Sequence, residues 1–347
     1  MTITAEELRD FVRRLLRAAG VDGPKADLVA DSLVAANLRG VDSHGVQLLP
    51  YYLEQLEAGN VNPAAEGHVV SENGACLVFD GENGIGQWVS DICAGHAIRL
   101  ARTLGAGVVT ARESNHFGAA AWWGQKLSEA GLLGIAMCNS SPIVPPWQGR
   151  EPRFGTNPIC ISVPGSRTWL LDMATTTVAA GKIFKAHING QPQIPPGWAM
   201  DSTGAPTTDT RKAYDGGLLM PLGGYKGSGL AFLVQILCGV LSGGPLSTEV
   251  GGIRWLNRPA RVSQTFIGID VARFLPVDEF DRRMRDLVAS VKAAAPAAGY
   301  NEVLVAGEPE WRFEDERVRD GIPVPEGNWR SLAAWAEKLD VAVPAGR

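Results

Sequence analysis

The sequence predicts an α/β protein with helical ends and a middle in which short strands alternate with helices. Three observations carry this expectation. Apolar residues recur at helical spacing near both termini, short β-branched runs bounded by Gly, Pro or Asn fill the middle, and glycine-rich turns separate them. With 347 residues, 45% of them hydrophobic and 20% charged, the chain is long enough for two or three lobes sharing cores.

At the N-terminus, Thr4 and Glu7 form a capping box, and Leu8, Phe11, Val12, Leu15 and Leu16 then recur at helical spacing until Gly20. Pro24 opens a second helix with Val29, Leu33 and Val34 inside, ending near Gly40. A third is expected directly after His44, carrying Val46, Leu49, Leu53 and Leu56 and closed by Gly59. Ser43 is placed to cap it, which would set His44 in a first helical turn, where the positive helix end disfavours imidazolium.

A strand is expected within 72–80, a helix over 88–104, and a strand at 108–110 leading to Ser114-Asn115-His116-Phe117-Gly118 and a helix over 119–130. Loops at strand ends are a common place for chemistry. Strands follow at 132–137, 159–163 and 168–171, the last running into Asp172, a carboxylate costly to bury without a partner. Gly223-Gly224-Tyr225-Lys226-Gly227 opens a helix read as buried, with Leu230, Leu233, Val234, Leu237 and Leu241; its glycines expose backbone N–H groups beside a lysine, a seat for an anion. A strand at 265–269, a helix over 277–294, a strand at 303–305 and tail helices near 314–319 and 329–339 complete the chain, the tail packing back on the N-terminal helices.

Composition excludes several classes of function. A net charge of −5 and a pI near 5.6 give no footprint for nucleic acid, and no block of like charge suggests a membrane patch. The widely spaced Cys76, Cys93, Cys138, Cys160 and Cys238 contain no CxxC pair and read as buried thiols of a cytoplasmic protein. No secretory signal is visible, no apolar run reaches the roughly 20 residues of a membrane span, and the five histidines show no metal-ligand spacing, so no metal is expected. GxGxxG, Walker A, HExxH and GxSxG are all absent. A nucleotide cofactor would therefore need a less common fold.

Eight short motifs in register alter that picture. They are Arg39-Gly40-Val41-Asp42-Ser43-His44-Gly45, Ser114 to Gly118, Gly155-Thr156-Asn157-Pro158, Leu171-Asp172-Met173-Ala174-Thr175, Gly181-Lys182-Ile183, Ile194-Pro195-Pro196-Gly197-Trp198-Ala199, Pro206-Thr207-Thr208-Asp209 and Gly223 to Gly227. Together they resemble the malate/L-lactate dehydrogenase family, which also contains ureidoglycolate dehydrogenase and Δ1-piperideine-2-carboxylate reductase. The resemblance implies a homodimeric, NAD- or NADP-dependent oxidoreductase with a non-Rossmann fold. Its mainly antiparallel central sheet would be flanked by helices, with a helical lobe from residues 1–75 completed by about 300–347. A central lobe would take 76–125 and 220–299, and a cofactor lobe 126–219.

The same resemblance implies hydride transfer between nicotinamide and C2 of a 2-oxo or 2-hydroxy acid or a cyclic imino acid. It makes His44 the proton donor, with Ser43 beside it and Asp172 as partner, and gives His116 the role of alternative acid or substrate ligand. Ser140, Asp172, Met173, Ala174, Thr175, Lys226, Gly227, Gly307 and Glu308 become cofactor contacts, and Leu48, Tyr52, His116 and Asn157 substrate contacts. Relatives carry an arginine where this chain has Leu48, so Arg150, Arg153, Lys185 or another cation takes the substrate carboxylate, or the substrate is less acidic and more apolar. Two other readings stay open: a nicotinamide-binding homologue with altered or lost activity, and a non-redox hydratase or hydrolase.

Overall fold

The computed structural model describes residues 1–165 and 167–345, with the backbone alone at Ile188. Helices α1 (Ala5–Ala18), α2 (Gly23–Leu38) and α3 (Leu49–Glu57) open the chain, after strand β1 (Thr2–Ile3). The capping box of α1 is present on both sides, Thr4 Oγ1 accepting from Glu7 N–H and the Glu7 carboxylate from Thr4 N–H. Next come β2 (His68–Asn73), β3 (Cys76–Asp80), α4 (Gly86–Leu104), β4 (Ala106–Ser114), α5 (Ala120–Glu129), β5 (Leu132–Cys138), β6 (Ile159–Ser162) and β7 (Leu170–Met173). They are followed by α6 (Ala180–Ile188), β8 (Ala199–Met200), β9 (Pro206–Thr207), α7 (Thr210–Tyr214), β10 (Leu218–Leu219), α8 (Tyr225–Val234) and β11 (Val262–Asp270). Helices α9 (Val277–Lys292), α10 (Glu308–Asp320) and α11 (Glu326–Lys338), with β12 (Ile322–Pro323) between the last two, close the chain.

Seven strands form one sheet in the order β2-β3-β4-β11-β5-β6-β7, and every pair but the parallel β3/β4 is antiparallel. One core lies between this sheet and α4 and α5, with Phe79, Val109, Trp123, Leu127 and Phe266 fully or nearly fully buried. A second joins both ends of the chain: Leu8, Phe11, Leu33 and Leu49 pack with Ile322, Leu332 and Ala336, and β1 pairs with β12. A third, smaller core gathers Val144, Phe154, Ile183, Ala199 and Leu219. The sheet runs through the expected lobe boundary at 126, so β5 to β7 belong to the central layer and the separate lobe is confined to residues around the third core.

Four local expectations are corrected. The third helix begins at Leu49, because two short 3₁₀ turns, Asp42–His44 and Val46–Leu48, come first. Residues 303–305 form no strand; the stretch meets the sheet one residue later, where Ala306 O accepts from Leu170 N–H of β7 at 3.1 Å, and a single bond makes no ladder. The helix after Lys226 is not fully buried: Val234 is, but Phe232, Leu233, Ile236, Val240 and Leu241 are exposed in the single chain, because α8 and the π-helical turn Gln235–Val240 are apolar on every face and the sheet covers only one. Cys76 is exposed at the end of β3, whereas the other four thiols are buried.

Candidate active site

The loop that carries His44 is fixed by its neighbours on both sides. Buried Asn37, in the last turn of α2, donates to Asp42 Oδ1 at 2.7 Å and accepts from Val46 N–H at 2.8 Å. Arg317 from α10 forks onto the Asp42 carboxylate at 2.6 and 3.0 Å and also donates to the Asn37 carbonyl. Such bidentate pairing fixes geometry as well as charge. Gly45 is required here, since a Cβ would stand 2.3 Å from Asn37 Oδ1. His44 Nδ1 lies 3.0 Å from Ser43 Oγ. Ser43 caps no helix, so the expected helix-end effect on His44 is absent; burial instead holds its imidazolium below the ordinary value of 6.5.

His116 reaches the same place from the loop between β4 and α5. Its ring stacks on His44 with centroids 5.7 Å apart and planes 23° from parallel. Gly118 N–H donates to His116 Nδ1 at 3.2 Å, and Tyr52 Oη lies 2.8 Å from the same nitrogen. An N–H can only donate, so Nδ1 is the acceptor and the network assigns the proton to Nε2. Tyr52 then donates as well, while its oxygen accepts from buried Gln87 Nε2 at 3.1 Å. Burial first, and the nearby His44 second, push the His116 pKa down to about 3. Both imidazoles are neutral at physiological pH.

The histidines open on a cleft of about 730 Å³, a size suited to a large ligand. Its lining includes the charged Arg39, Asp172, Arg254 and Glu310, the apolar Leu48 and Ile253, and small residues at 118–121, 179–181 and 306–307. Asp172 sits within edge strand β7, opposite Cys160, rather than just after a strand. It keeps surface toward the cleft but is surrounded by protein at longer range. That deeper burial raises its pKa to about 6, against the lowering effects of Ala121 N–H, which donates to it at 2.9 Å, and of Arg39.

A family model described as malate/L-lactate dehydrogenase matches residues 3–333. The chain belongs to that family. The malate dehydrogenase of Pyrococcus horikoshii is 36% identical over 347 residues, spanning 98% of this chain and 96% of its own. Its solved structure superposes with a TM-score of 0.91 over 99% of this chain and 97% of that one. The L-sulfolactate dehydrogenase of Methanocaldococcus jannaschii is 35% identical over 99% of this chain and 98% of its own length. The ureidoglycolate dehydrogenase (NAD(+)) of Escherichia coli K12 is 32% identical over 96% of this chain and 95% of its own. The malate/L-lactate dehydrogenase-type chain described here is thus an oxidoreductase acting on CH–OH, a hydroxyacid dehydrogenase.

Within this dehydrogenase, the sequence-based site residues divide. Ser43, His44, Leu48, His116, Ser140, Asp172, Met173, Ala174 and Gly307 all line the cleft. Tyr52 does not line it and meets it only through the hydrogen bond to His116. Thr175 and Asn157 do not line it, since both are buried and bonded: Thr175 Oγ1 donates to Thr156 O, while Asn157 accepts from Ser140 N–H and donates to Ala231 O. Lys226 is exposed on the first turn of α8, away from the cleft, and Gly227 serves packing, a Cβ there meeting Leu222 N at 2.3 Å. Glu308 is bound to Lys292 and to Val305 N–H. No hydrogen bond joins Asp172 to His44 among the described residues; the Asp172 oxygen is engaged by α5 instead. Arg150, Arg153 and Lys185 do not line the cleft, where the cations among the described residues are Arg39 and Arg254. Arg39 stood inside the first motif without an assigned role, and Arg254 lay in a loop without any motif signal. Gln87 and Asn37 were legible only as helix polar residues.

Proposed function

We propose that this enzyme oxidises a 2-hydroxy acid, or reduces the matching 2-oxo acid or cyclic imine, with NAD or NADP, and that His44 exchanges the substrate proton. The observation that carries the reading is the stacked pair of neutral imidazoles on the wall of a long cleft. A neutral His44 is ready to take the hydroxyl proton in oxidation, and the Nε2–H assigned to His116 donates to the substrate oxygen. Asp172 lines the same cleft, and we assign it as the charge that would favour an imidazolium formed at His44 during turnover.

The cleft also fits an extended dinucleotide. The small residues at 118–121, 179–181 and 306–307 let a ligand approach the backbone closely, and Arg39, 4% exposed, has Nε and Nη1 without an acceptor. Ser140, Met173, Ala174 and Gly307 are the residues we assign to hold it, and when bound the nicotinamide supplies or accepts the hydride. The exposed apolar face of α8 and the turn after it supports a homodimer, with a second copy as its cover. Among the described residues no helix is long and apolar enough to cross a membrane.

The test is direct. Purified protein is mixed with NADH or NADPH and a panel of 2-oxo acids and cyclic imines while the reduced nicotinamide is followed by absorbance, and each cofactor is titrated alone by fluorescence. Consumption with at least one compound is expected. Tight binding of cofactor with no turnover across the panel would replace this reading with that of an inactive homologue.

A further inference from the structure

The cleft contains two guanidinium groups among the described residues, and they are not equivalent. Arg39 is 4% exposed, its charge lowers the pKa of the Asp172 carboxyl, and its Nε and Nη1 have no acceptor. Arg254 is exposed in the single chain and lines the same cleft. Its guanidinium carbon lies 4.9 Å from the Tyr51 ring of α3 and 4.5 Å from the Phe184 ring of α6, and no carboxylate or carbonyl accepts from it among the described residues. Aromatic contacts engage the faces of a planar guanidinium and leave the N–H edge free. Tyr51 lies on α3 and Phe184, which lines the cleft, on α6, so the cation is held between two elements while its donors stay open.

Position points the same way. Gly252 and Ile253, directly before Arg254, line the pocket that contains both His44 and His116. Around Arg254 the cleft wall is apolar, formed by Leu48, Ile253, Phe184 and Trp255. A substrate carboxylate is ionised at any working pH and is costly to take from water without a cation. Arg254 is the cation on this apolar stretch of the lining, and among the described residues it has no acceptor of its own.

We propose that Arg254 binds the carboxylate of the substrate, and that the substrate is a 2-hydroxy monocarboxylic acid with an apolar side chain rather than a diacid. The inference rests on the dehydrogenase reading above and narrows its substrate class. It treats Arg254 as a specificity-determining binding residue, separate from the proton exchange at His44.

The experiment uses the full chain as wild type, Arg254→Met and Arg254→Lys. Oxamate, an inert carboxylate, is titrated calorimetrically into the protein holding reduced cofactor, which reads the contact without turnover. Loss of a charge-assisted contact predicts binding weakened on the order of 10- to 100-fold in Arg254→Met, partly recovered in Arg254→Lys. KM for 2-oxobutanoate should rise by a similar factor with kcat changed less, whereas KM for its methyl ester and Kd for the cofactor should move by no more than about twofold. Wild type should prefer 2-oxobutanoate to oxaloacetate by roughly tenfold or more in kcat/KM. Unchanged oxamate binding, an equal effect on the ester, or a weakened cofactor Kd would overturn the assignment, the last by giving Arg254 to the dinucleotide. A preference for oxaloacetate would overturn the substrate class. A wild type that binds oxamate through Arg254 but never consumes reduced cofactor would sink the dehydrogenase reading alone.

Discussion

Tyr52→Phe tests the site's hydrogen-bond logic more sharply than removal of a histidine. The substitution keeps the ring and its packing and deletes one oxygen. That oxygen donates to His116 Nδ1 at 2.8 Å and accepts from Gln87 Nε2 at 3.1 Å. Gln87 is 1% exposed, so its amide is left buried without an acceptor, a cost of roughly 1–3 kcal/mol with the lost bond to His116 adding about 1. We expect a stability loss of about 2–4 kcal/mol at neutral pH. The hydroxyl also stabilises neutral His116, so its removal raises the folded pKa from about 3 toward 6.5, by roughly one unit for each 1.4 kcal/mol lost. The native protein binds fewer protons here than the unfolded chain, so the stability that His116 contributes is lost as pH falls below 6.5 toward 3. Wild type and variant should therefore fall in parallel from pH 6.5 down to the variant's folded pKa and converge below it. Burial raises the Tyr52 pKa, so the phenol remains a donor throughout. Urea unfolding across this pH range and nitrogen-15 NMR of the imidazoles measure both effects. A wild-type spectrum with the proton on Nδ1 of His116, or a stability gap that widens on acidification, would refute the reasoning.

Three further outcomes follow from the same geometry. His44→Gln should lower kcat by around two to four orders of magnitude with cofactor Kd unchanged, and the wild-type rate of hydroxy acid oxidation should persist below pH 6.5, falling only through the lowered His44 pKa. Asn37→Leu removes the acceptor of Val46 N–H and one donor to Asp42, which keeps Arg317; it should cost about 2–4 kcal/mol in denaturant unfolding and reduce kcat more than it raises KM. Val240→Glu puts a charge on the exposed apolar face, and light scattering should give a monomer where wild type gives a dimer, with the far-UV spectrum retained.

Much of the fold was legible because it follows local rules. The capping box at Thr4, the apolar spacing through Leu16 and the Gly105 stop after α4 are each decided within a few residues, and each is present in the structure. The register of the sheet is not local: nothing near residue 262 tells β11 to lie between β4 and β5, and the pairing of β1 with β12 joins opposite ends of the chain. The start of α3 was misplaced for a comparable reason. Val46, Leu49 and Leu53 fit a helical stripe, but Arg317, distant in sequence, pins Asp42, and Asn37 on α2 holds both Asp42 and Val46 in 3₁₀ turns. Asp172 was legible as a site residue but not as an acceptor for α5, which depends on strand order. Lys226 had a glycine-rich setting that suits an anion, yet it is exposed and does not line the cleft. Arg254 carried no local signal at all, since its meaning comes from two rings supplied by α3 and α6.

The sequence left His116 open as an alternative acid to His44, and their Nδ1 partners separate the two. His116 Nδ1 faces two donors, Gly118 N–H and the Tyr52 hydroxyl, so a proton there would leave both without an acceptor inside the protein. His116 is thereby held as a donor through Nε2, and a second proton is opposed by burial and by His44. His44 Nδ1 faces only the Ser43 hydroxyl, which can rotate to donate or to accept. Both tautomers of His44 and its doubly protonated form therefore keep a satisfied Nδ1, and Nε2 can take up or release a proton with no other group moving. Exchange requires that freedom and anchoring requires its absence, which favours His44 as the acid and base and His116 as the fixed contact to the substrate oxygen.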